Sequence, residues 1–538
     1  MVKTKWGTSK HIKADVIVLG CSLPGIVTAH KLKKKFGNTM DIVVLDLAGR
    51  QTNLSKCNVA FQEEDEDEDE CDNTGETNVF TDSITKRYLS LYAGDFNIPL
   101  PDAIMAPEKV RSPLNKLFEH SNGTTVECFT DFHDFDYLNI LEKFELNQYQ
   151  NLLNEYMKDL FQQNNYDDDS NRKRLLYYDH TTMETHICSS LLFSNSREIM
   201  RNTVRLVCGT SADNISVLFY LHQCHRSNNS RNLLDGDNTK LREKLIGYCR
   251  KRLASKLQKS VASITLTAKS INKISSYSDE QVILKTIKGD TNYVCNLLAM
   301  AVKPDELHNI EVEAQLLSDQ IMNITASMKQ GVAKKFLVQY EEHFWRREGY
   351  SGDILSVRGP ILWATERPIV SSTGSLERYA ALIGYLRVKE PGADSREAVL
   401  KQLVRLFGDE AAEPIGYRET IIADTYIPRC GDFVALRRLT RQSRPKFLEW
   451  GALDIFGDGD VASALEAGHM AYVHLLGCLR PQAQTYDDLS TTEWPTNLGY
   501  SPIRKLCSQL TITTSLRYMA FTAAAYIGYR LLQSRLRK

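Results

Sequence analysis

One segment near the start of the chain constrains the fold more than any other, because it joins a strand, a glycine turn, a helix and a second strand. Residues 14–19 form an apolar run typical of a buried strand, and the glycine-containing turn 20–25 follows at once. Helically spaced apolar residues come next, and a second apolar run ends in Asp46. This order predicts a parallel βαβ unit whose helix N-terminus binds a pyrophosphate and whose acid binds a ribose hydroxyl.

The glycine turn departs at one position from the pattern Gly-x-Gly-x-x-Gly. Gly20 and Gly25 occupy the first and third glycine positions, but Ser22 stands at the second. A Cβ atom there would crowd a phosphate, although the hydroxyl could donate a hydrogen bond to it. Pro24 falls in the first helical turn, where proline is tolerated. A well-packed βαβ unit that binds no nucleotide therefore remains an alternative.

Bulk composition limits the classes of function. The 538 residues exceed one ordinary core, which predicts two domains with extensions. The net charge of −1, from 66 basic and 67 acidic side chains, argues against a general nucleic-acid binder. Twelve cysteines occur without metal-binding spacing, and residues 1–13 lack the apolar run of a secretory signal. We therefore expect no metal site, and free thiols in a reducing compartment.

An acidic run interrupts the first domain. Residues 63–72 carry nine carboxylates in ten positions, and such self-repelling runs stay solvated. We expect a disordered surface insertion over residues 63–78. Carboxylate clusters can also bind calcium, but the glycine and ligand spacing of an EF-hand loop are missing here.

A second informative block runs from Lys334 to Gly352. It opens with an alternating strand pattern and continues with Phe344-Trp345, two arginines and a Tyr-Ser-Gly turn. The block closely resembles one in flavin monoamine oxidases, and the chain is identified as a divergent member of that family. In the family the strand lysine holds a water near the flavin, so the resemblance implies that Lys335 is catalytic. The neighbouring Lys334 leaves the register open by one residue.

The resemblance implies FAD as the cofactor. Residues matching family positions around FAD are Gly20, Ser22, Gly25, Asp46, Arg50, Cys430 and Gly459. Cys430 falls near the cysteine that monoamine oxidases bond covalently to the flavin, although its neighbours differ from the family pattern. The helix that begins near residue 461 is expected to direct its N-terminus at the flavin.

Several departures from the family pattern bear on catalysis. Gly431 and Asp460 stand where the family has the two aromatic rings that align the amine. Asp458 and Asp460 would also disfavour an anionic reduced flavin. Two hypotheses follow: oxidative deamination of a small amine with peroxide formation at reduced activity, or a catalytically inactive, membrane-tethered binding or regulatory protein.

Residues 16–24 also resemble Rab escort and GDP-dissociation-inhibitor proteins, which share the fold without redox chemistry.

The end of the chain resembles the tail anchor of monoamine oxidases. An apolar stretch of 12 residues, 518–529, lies between Arg517 and Arg530 and precedes a basic terminus. About 20 apolar residues are needed to span a bilayer, so an amphipathic docking helix is the alternative. The resemblance implies attachment to the outer mitochondrial membrane with the body on the cytosolic face, and it leaves a homodimer open.

Together these observations predict an α/β protein, in which a Rossmann-like FAD-binding domain alternates with an α+β substrate domain and a C-terminal membrane helix follows. The expected segments are the first FAD-binding segment at 1–62, the acidic insertion at 63–78, a helical part of the substrate domain at 79–255, an FAD-domain meander at 256–305, the substrate-domain sheet at 306–420, the closing FAD-domain segment at 421–480, a linker at 481–515 and the tail anchor at 516–538.

Overall fold

The computed structural model describes residues 10–47, 84–98, 114–161, 169–226, 253–287, 291–366, 380–387, 394–442, 448–449, 461–488 and 512–536, apart from residues 131, 254, 269, 279, 486 and 487. The acidic run and the predicted site residues Arg50 and Gly459 lie outside this part, as does Asp460.

The described strands are β1 (Lys10–Leu19), β2 (Ile42–Leu47), β3 (Asn115–Glu119), β4 (Thr125–Cys128), β5 (Thr265–Ala268), β6 (Ile271–Ser278), β7 (Gln281–Thr286), β8 (Thr291–Met300), β9 (Glu311–Val312), β10 (Lys329–Tyr340), β11 (Tyr350–Ser356), β12 (Ile361–Glu366), β13 (Ala380–Leu386), β14 (Gly416–Ile427) and β15 (Leu448–Glu449). The helices are α1 (Leu23–Phe36), α2 (Ile84–Asp95), α3 (Ile140–Phe161), α4 (Asp169–His180), α5 (Met183–Ser190), α6 (Ser194–Cys208), α7 (Val217–Arg226), α8 (Pro304–Leu307), α9 (Asp319–Ser327), α10 (Phe344–Arg347), α11 (Arg396–Phe407), α12 (Phe433–Gln442), α13 (Val461–Leu479) and α14 (Ile512–Leu536).

The first sheet contains the βαβ unit predicted at the start of the chain. Its strand order is β5-β2-β1-β8-β7-β6-β9, and β15 pairs in parallel with β8. β1 runs parallel to β2 on one side and to β8 on the other, so that Val16 lies opposite both Ile42 and Leu297. Because β1 is central, Val16 and Ile17 are buried on opposite faces of the sheet. The predicted strand, turn, helix and strand are therefore confirmed.

Helices cover both faces of the first sheet. α1, α2 and α13 pack on one face, where Ile26 and Leu465 belong to the same apolar cluster as Val16. The other face packs against residues of α9 and α12, including Ile321 and Leu436. β6 pairs antiparallel with β7, and β7 pairs antiparallel with β8, so the three strands form a meander.

The second sheet has the order β14-β10-β13-β12-β11-β3-β4. β10 pairs antiparallel with β13 and β14, while β11 pairs in parallel with β3. α11 packs on one face through Val399 and Leu403. Helices α3 to α7 share an apolar cluster with Trp363 and Leu355 of the sheet, and we call this side the helical face. Lys335 lies on β10, between β14 and β13.

The C-terminal helix α14 leaves most of its apolar side chains exposed. It is joined to α5 near its start, where the Thr513 hydroxyl donates to the Ser190 carbonyl at 2.9 Å and Arg517 reaches the Ser189 carbonyl at 3.5 Å. Within the described residues, no helix has the length and apolar character needed to cross a membrane. The prediction of a membrane-spanning tail is therefore not supported, because arginines bound an apolar stretch of only 12 residues.

Candidate active site

The glycine turn after β1 lies between the ends of β2 and β8. Gly20 donates its N–H to the Leu45 carbonyl at 2.9 Å, and the Ala301 N–H reaches the Leu19 carbonyl at 2.8 Å. Gly20 has a φ of +103°, and a Cβ atom there would lie 2.6 Å from the Ala301 carbonyl oxygen. A Cβ atom on Gly25 would lie 2.6 Å from the Ala301 Cβ. Both predicted glycines are thus required by the close approach of β8 to the turn.

Ser22 turns its hydroxyl away from the helix that follows. Its Oγ donates to the Ala301 carbonyl at 2.8 Å, and it forms no side-chain hydrogen bond to the first turn of α1. The first amides of α1 therefore have no capping side chain, which is the arrangement that an anionic group at a helix N-terminus requires. The serine at the second glycine position packs against β8 in this way.

Asp46 lies near the end of β2, beside the glycine turn. Its Oδ1 is buried and has no hydrogen-bond partner among the described residues. Burial raises the pKa of Asp46, a hydrogen bond from Cys21 opposes that shift, and the charge of Glu306 adds to it. A buried acceptor without a donor has a cost that a ligand hydroxyl would remove.

Three features of the turn and of β2 fit a bound dinucleotide. The α1 amides can receive a pyrophosphate, Gly20 and Gly25 let the turn pack closely against Ala301, and the unpaired Asp46 oxygen can accept from a ribose hydroxyl. The described part of this site therefore fits FAD.

The register of the two strand lysines follows from the alternation of β10. Phe336, Val338 and Tyr340 pack with α11, so Lys334 belongs to the same face. Lys334 forms an ion pair with Glu419, and its Nζ donates to the Ser395 hydroxyl at 3.0 Å. Lys335 is buried and points to the opposite, helical face.

Lys335 lies in a row of side chains that crosses four strands. Its register partners are Thr420 on β14 and Tyr385 on β13, and Tyr385 in turn pairs with Trp363 on β12. The Trp363 and Tyr385 rings lie with their centroids 6.3 Å apart. Trp363 is 2% exposed, and its indole N–H has no partner among the described residues. The row thus presents a cation, two aromatic rings and a buried donor to the helical face.

The Phe-Trp-Arg segment that follows β10 has a structural role. The Trp345 indole donates to Glu366 at 3.0 Å, and Arg346 makes a two-point contact with the same carboxylate. Glu366 is buried at the end of β12. This pairing fixes the connection from β10 to β11 and so supports the strand that carries Lys335.

Cys430 lies between α4 and the start of α12. Its thiol donates to the Asp179 carbonyl at 3.1 Å. Burial and the charges of Asp179 and Asp432 raise its pKa, which favours the thiol over the nucleophilic thiolate. The next residue, Gly431, has a φ of +98°, and a Cβ atom there would lie 3.2 Å from His180 Nε2. The loss of an aromatic ring at this position therefore has a conformational reason.

The predicted site residues fall into three groups. Gly20, Ser22, Gly25 and Asp46 gather at the carboxyl ends of β1 and β2, Lys335 lies in the second sheet, and Cys430 precedes α12. Tyr385 and Trp363 are not among the residues predicted from the sequence. The alternation within β12 and β13 carries a signal for them, but only pairing with β10 shows that they flank Lys335.

Comparisons with known proteins agree with this arrangement. A family model described as flavin containing amine oxidoreductase matches residues 66–421, about two thirds of the chain. A probable flavin-containing monoamine oxidase A of Dictyostelium discoideum is 23% identical over 245 residues, which cover 44% of this chain and 52% of that protein. A putative flavin-containing monoamine oxidase AofH of Mycobacterium tuberculosis is 24% identical over 225 residues, or 42% of this chain and 48% of that protein. The chain thus spans about half the length of these curated relatives.

Solved structures share the fold at low sequence identity. A putrescine oxidase with bound putrescine superposes with a TM-score of 0.64 at 14% identity, covering 87% of this chain and 100% of that chain. A cyclohexylamine oxidase from Brevibacterium oxydans IH-35A gives 0.65 at 16% identity, covering 85% and 98%. These similarities show the mixed α/β fold of FAD-dependent amine oxidases. With the family match, they lead to one conclusion: the chain belongs to the family of flavin-containing amine oxidoreductases, and this membership implies FAD as its cofactor.

Proposed function

We propose that this protein is an FAD-dependent oxidase of small amines, which converts a carbon–nitrogen single bond into an imine that water then hydrolyses. The family match carries the proposal, and the fit of the βαβ turn to a dinucleotide supports it. When bound, FAD supplies the two-electron acceptor and passes the electrons to dioxygen, which is released as peroxide.

The chain's own residues have separate tasks in this reaction. The first amides of α1 bind the pyrophosphate, and Asp46 binds a ribose hydroxyl. Lys335 holds a water and moves a proton on the helical face of the second sheet. Tyr385 and Trp363 supply flat apolar surface beside it, which can orient the substrate.

Peroxide formation tests the proposal directly. Full-length protein is loaded with FAD and offered a panel of primary amines that includes putrescine and cyclohexylamine, the compounds named for the structural relatives. We expect peroxide that depends on the amine and on FAD. Protein that binds FAD but yields no peroxide with any amine would contradict the oxidase proposal.

A second candidate is a binding protein of the same fold that performs no oxidation. It is favoured by Gly431, which supplies no aromatic ring of its own at this position, and by the charges of Asp179 and Asp432 near Cys430. In that case the protein would bind FAD or an amine without turnover. Equilibrium binding of FAD or of the amine would be saturable, while peroxide stayed at the background level.

A further inference from the structure

Two arginines converge on one amide oxygen beside the helical face of the second sheet. Arg205, in the last turn of α6, donates to Asn202 Oδ1 at 3.2 Å. Arg387, directly after β13, donates to the same oxygen at 3.3 Å and to the Val357 carbonyl at 3.2 Å. Asn202 is itself fixed, because its Nδ2 donates to the Ser356 carbonyl at 3.0 Å. A neutral amide thus bridges two like charges.

The acids near this pair are already engaged. Glu184 receives a two-point contact from Arg201, and Glu198 pairs with the same arginine. Among the described residues, neither Arg205 nor Arg387 forms an ion pair with a carboxylate. The Nε atom of Arg387 is buried and has no hydrogen-bond partner there. Burial and the charge of Arg205 lower the pKa of Arg387, while Glu198 partly opposes this shift. Two neighbouring cations without a carboxylate partner have a cost that an anion would remove.

The pair lies close to the row that contains Lys335. Arg387 is two residues beyond Tyr385, so both belong to the helical face, roughly 7 Å apart along the strand. On the other side of Tyr385, the Trp363 indole N–H also has no partner among the described residues. Two unsatisfied N–H donors therefore flank the register partner of Lys335.

We propose that Arg205 and Arg387 form an oxyanion-binding site that accepts the carboxylate of a small organic acid. A guanidinium fork matches a carboxylate in shape and charge, and the buried Nε atom of Arg387 supplies an available donor. Because the site lies beside Lys335, we assign the bound carboxylate to one end of an amine substrate. This assignment rests on the proposed oxidase function. The anion binding itself does not rest on it.

Anion-dependent stabilisation of the full-length protein tests the site. Melting temperatures are measured with sodium acetate, sodium phosphate and sodium chloride at equal ionic strength. Acetate is expected to stabilise the wild type more than chloride does, and a stronger effect of phosphate would assign the site to phosphate groups instead. Arg205→Gln and Arg387→Gln should each weaken acetate binding by at least about tenfold, since each removes charge-assisted hydrogen bonds.

The matched control is Arg396→Gln, which removes one exposed positive charge at the start of α11. It should leave the acetate effect unchanged. If Arg387→Gln fails to fold, the acetate measurement on Arg205→Gln tests the site instead. Arg205 is only half-buried on a helix, so its replacement should disturb the fold less. No stabilisation beyond chloride, or equal stabilisation in the arginine variants and the wild type, would overturn the proposal.

Turnover separates the substrate assignment from the oxidase function. The ratio of kcat/KM for γ-aminobutyrate to that for butylamine should exceed one and fall at least about tenfold in Arg387→Gln, with butylamine little affected. Equal values for both amines in the wild type would refute the acidic substrate class. Absence of peroxide from these two amines and from the rest of the amine panel would refute the oxidase proposal and leave the acetate result standing.

Discussion

At the scale of single residues, the two adjacent lysines of β10 show how strand alternation separates structural from chemical roles. Lys334 is paired with Glu419 beneath α11, whereas Lys335 lies on the helical face opposite Tyr385. Both lysines are buried, so burial alone could not distinguish them. The neighbours of each lysine distinguish the two roles, because each face of the sheet packs against a different layer of helices.

The lysine pair gives a matched test. Lys335→Met should reduce amine-dependent peroxide formation on the order of 100-fold while changing stability little, because it removes a proton carrier. Lys334→Met removes the cation that pairs with the half-buried Glu419, which keeps hydrogen bonds from the Ser395 N–H and the Tyr417 hydroxyl, and should lower the free energy of unfolding by about 1–3 kcal/mol. Steady-state turnover and urea denaturation of both variants measure the contrast. Equal loss of turnover in both, after correction for the folded fraction, would contradict the assignment.

Ser22 gives a second test at this scale. Ser22→Gly and Ser22→Ala both remove the hydrogen bond to the Ala301 carbonyl and should each cost about 1 kcal/mol of stability. Only the glycine variant also removes the Cβ atom near the helix N-terminus, so it alone should bind FAD more tightly than the wild type. Fluorescence titration with FAD compares them, and identical affinities of the two variants would show that the Cβ atom does not crowd the ligand.

Cys430 leads to a prediction about attachment of the flavin. Its raised pKa and its hydrogen bond to the Asp179 carbonyl favour an unreactive thiol. We therefore expect acid precipitation to release FAD into the supernatant, in wild type and Cys430→Ser alike. Flavin retained in the wild-type pellet and released from Cys430→Ser would establish the covalent link instead.

At the scale of elements, the crossing of α1 and α13 depends on a missing side chain. A Cβ atom on Gly468 would lie 2.5 Å from the Pro24 carbonyl oxygen and 2.7 Å from the Val27 Cβ. Thr28 bridges the two helices by contacting the Gly468 carbonyl at 3.0 Å. α1 begins at the glycine turn, so this close crossing also helps to hold the proposed nucleotide site in place.

Gly468→Ala should therefore destabilise the protein by about 1–3 kcal/mol, because backbone must move to admit the methyl group. Gly528→Ala in α14 is the control, since its Cβ atom would meet nothing within 4 Å. Thermal unfolding should show a lower melting temperature for the first variant and no loss for the second. An unchanged melting temperature for Gly468→Ala would mean that the helices can separate at little cost.

The elements also show what sequence could and could not predict. The βαβ unit was predictable because a buried parallel strand, a glycine turn and an acid at the next strand end form a local pattern. The row of side chains around Lys335 was not predictable from the sequence, because Thr420, Tyr385 and Trp363 come from strands that are distant in sequence. The tail was assigned to a membrane from a resemblance, and the length of its apolar stretch argues against a span.

At the scale of the whole molecule, three buried histidines couple stability to pH. His30 in α1, His186 in α5 and His469 in α13 each have a pKa lowered to about 4, mainly by burial. In the unfolded chain the ordinary value is about 6.5. Between these values the unfolded state binds protons that the folded state refuses, so stability is complete above about pH 6.5 and falls as the pH approaches 4.

As the pH falls through this window, protonation of each histidine in the unfolded chain should lower the free energy of unfolding by about 1.4 kcal/mol per pH unit. The three histidines together should lower it by about 4 kcal/mol per unit. Urea denaturation between pH 7.5 and 5 measures the slope. His469→Gln should reduce the slope by about a third, because one of the three groups is lost. A free energy of unfolding that does not change between pH 7 and 5 would contradict the buried, neutral histidines.

The state of the cysteines is a further property at the scale of the whole molecule. The eight cysteines in the described residues are free thiols. The outer mitochondrial membrane and a homodimer stay predictions from the resemblance.

The visible absorbance spectrum of the purified full-length protein shows whether the βαβ turn of this amine oxidoreductase fold holds FAD. We expect the absorbance bands of an oxidised flavin, either at once or after incubation with FAD and removal of the excess. These bands should weaken in Gly25→Val, whose side chain would enter the space taken by the Ala301 side chain and the Gly20 carbonyl. A folded, colourless protein that takes up no added FAD would show that the turn does not bind the cofactor.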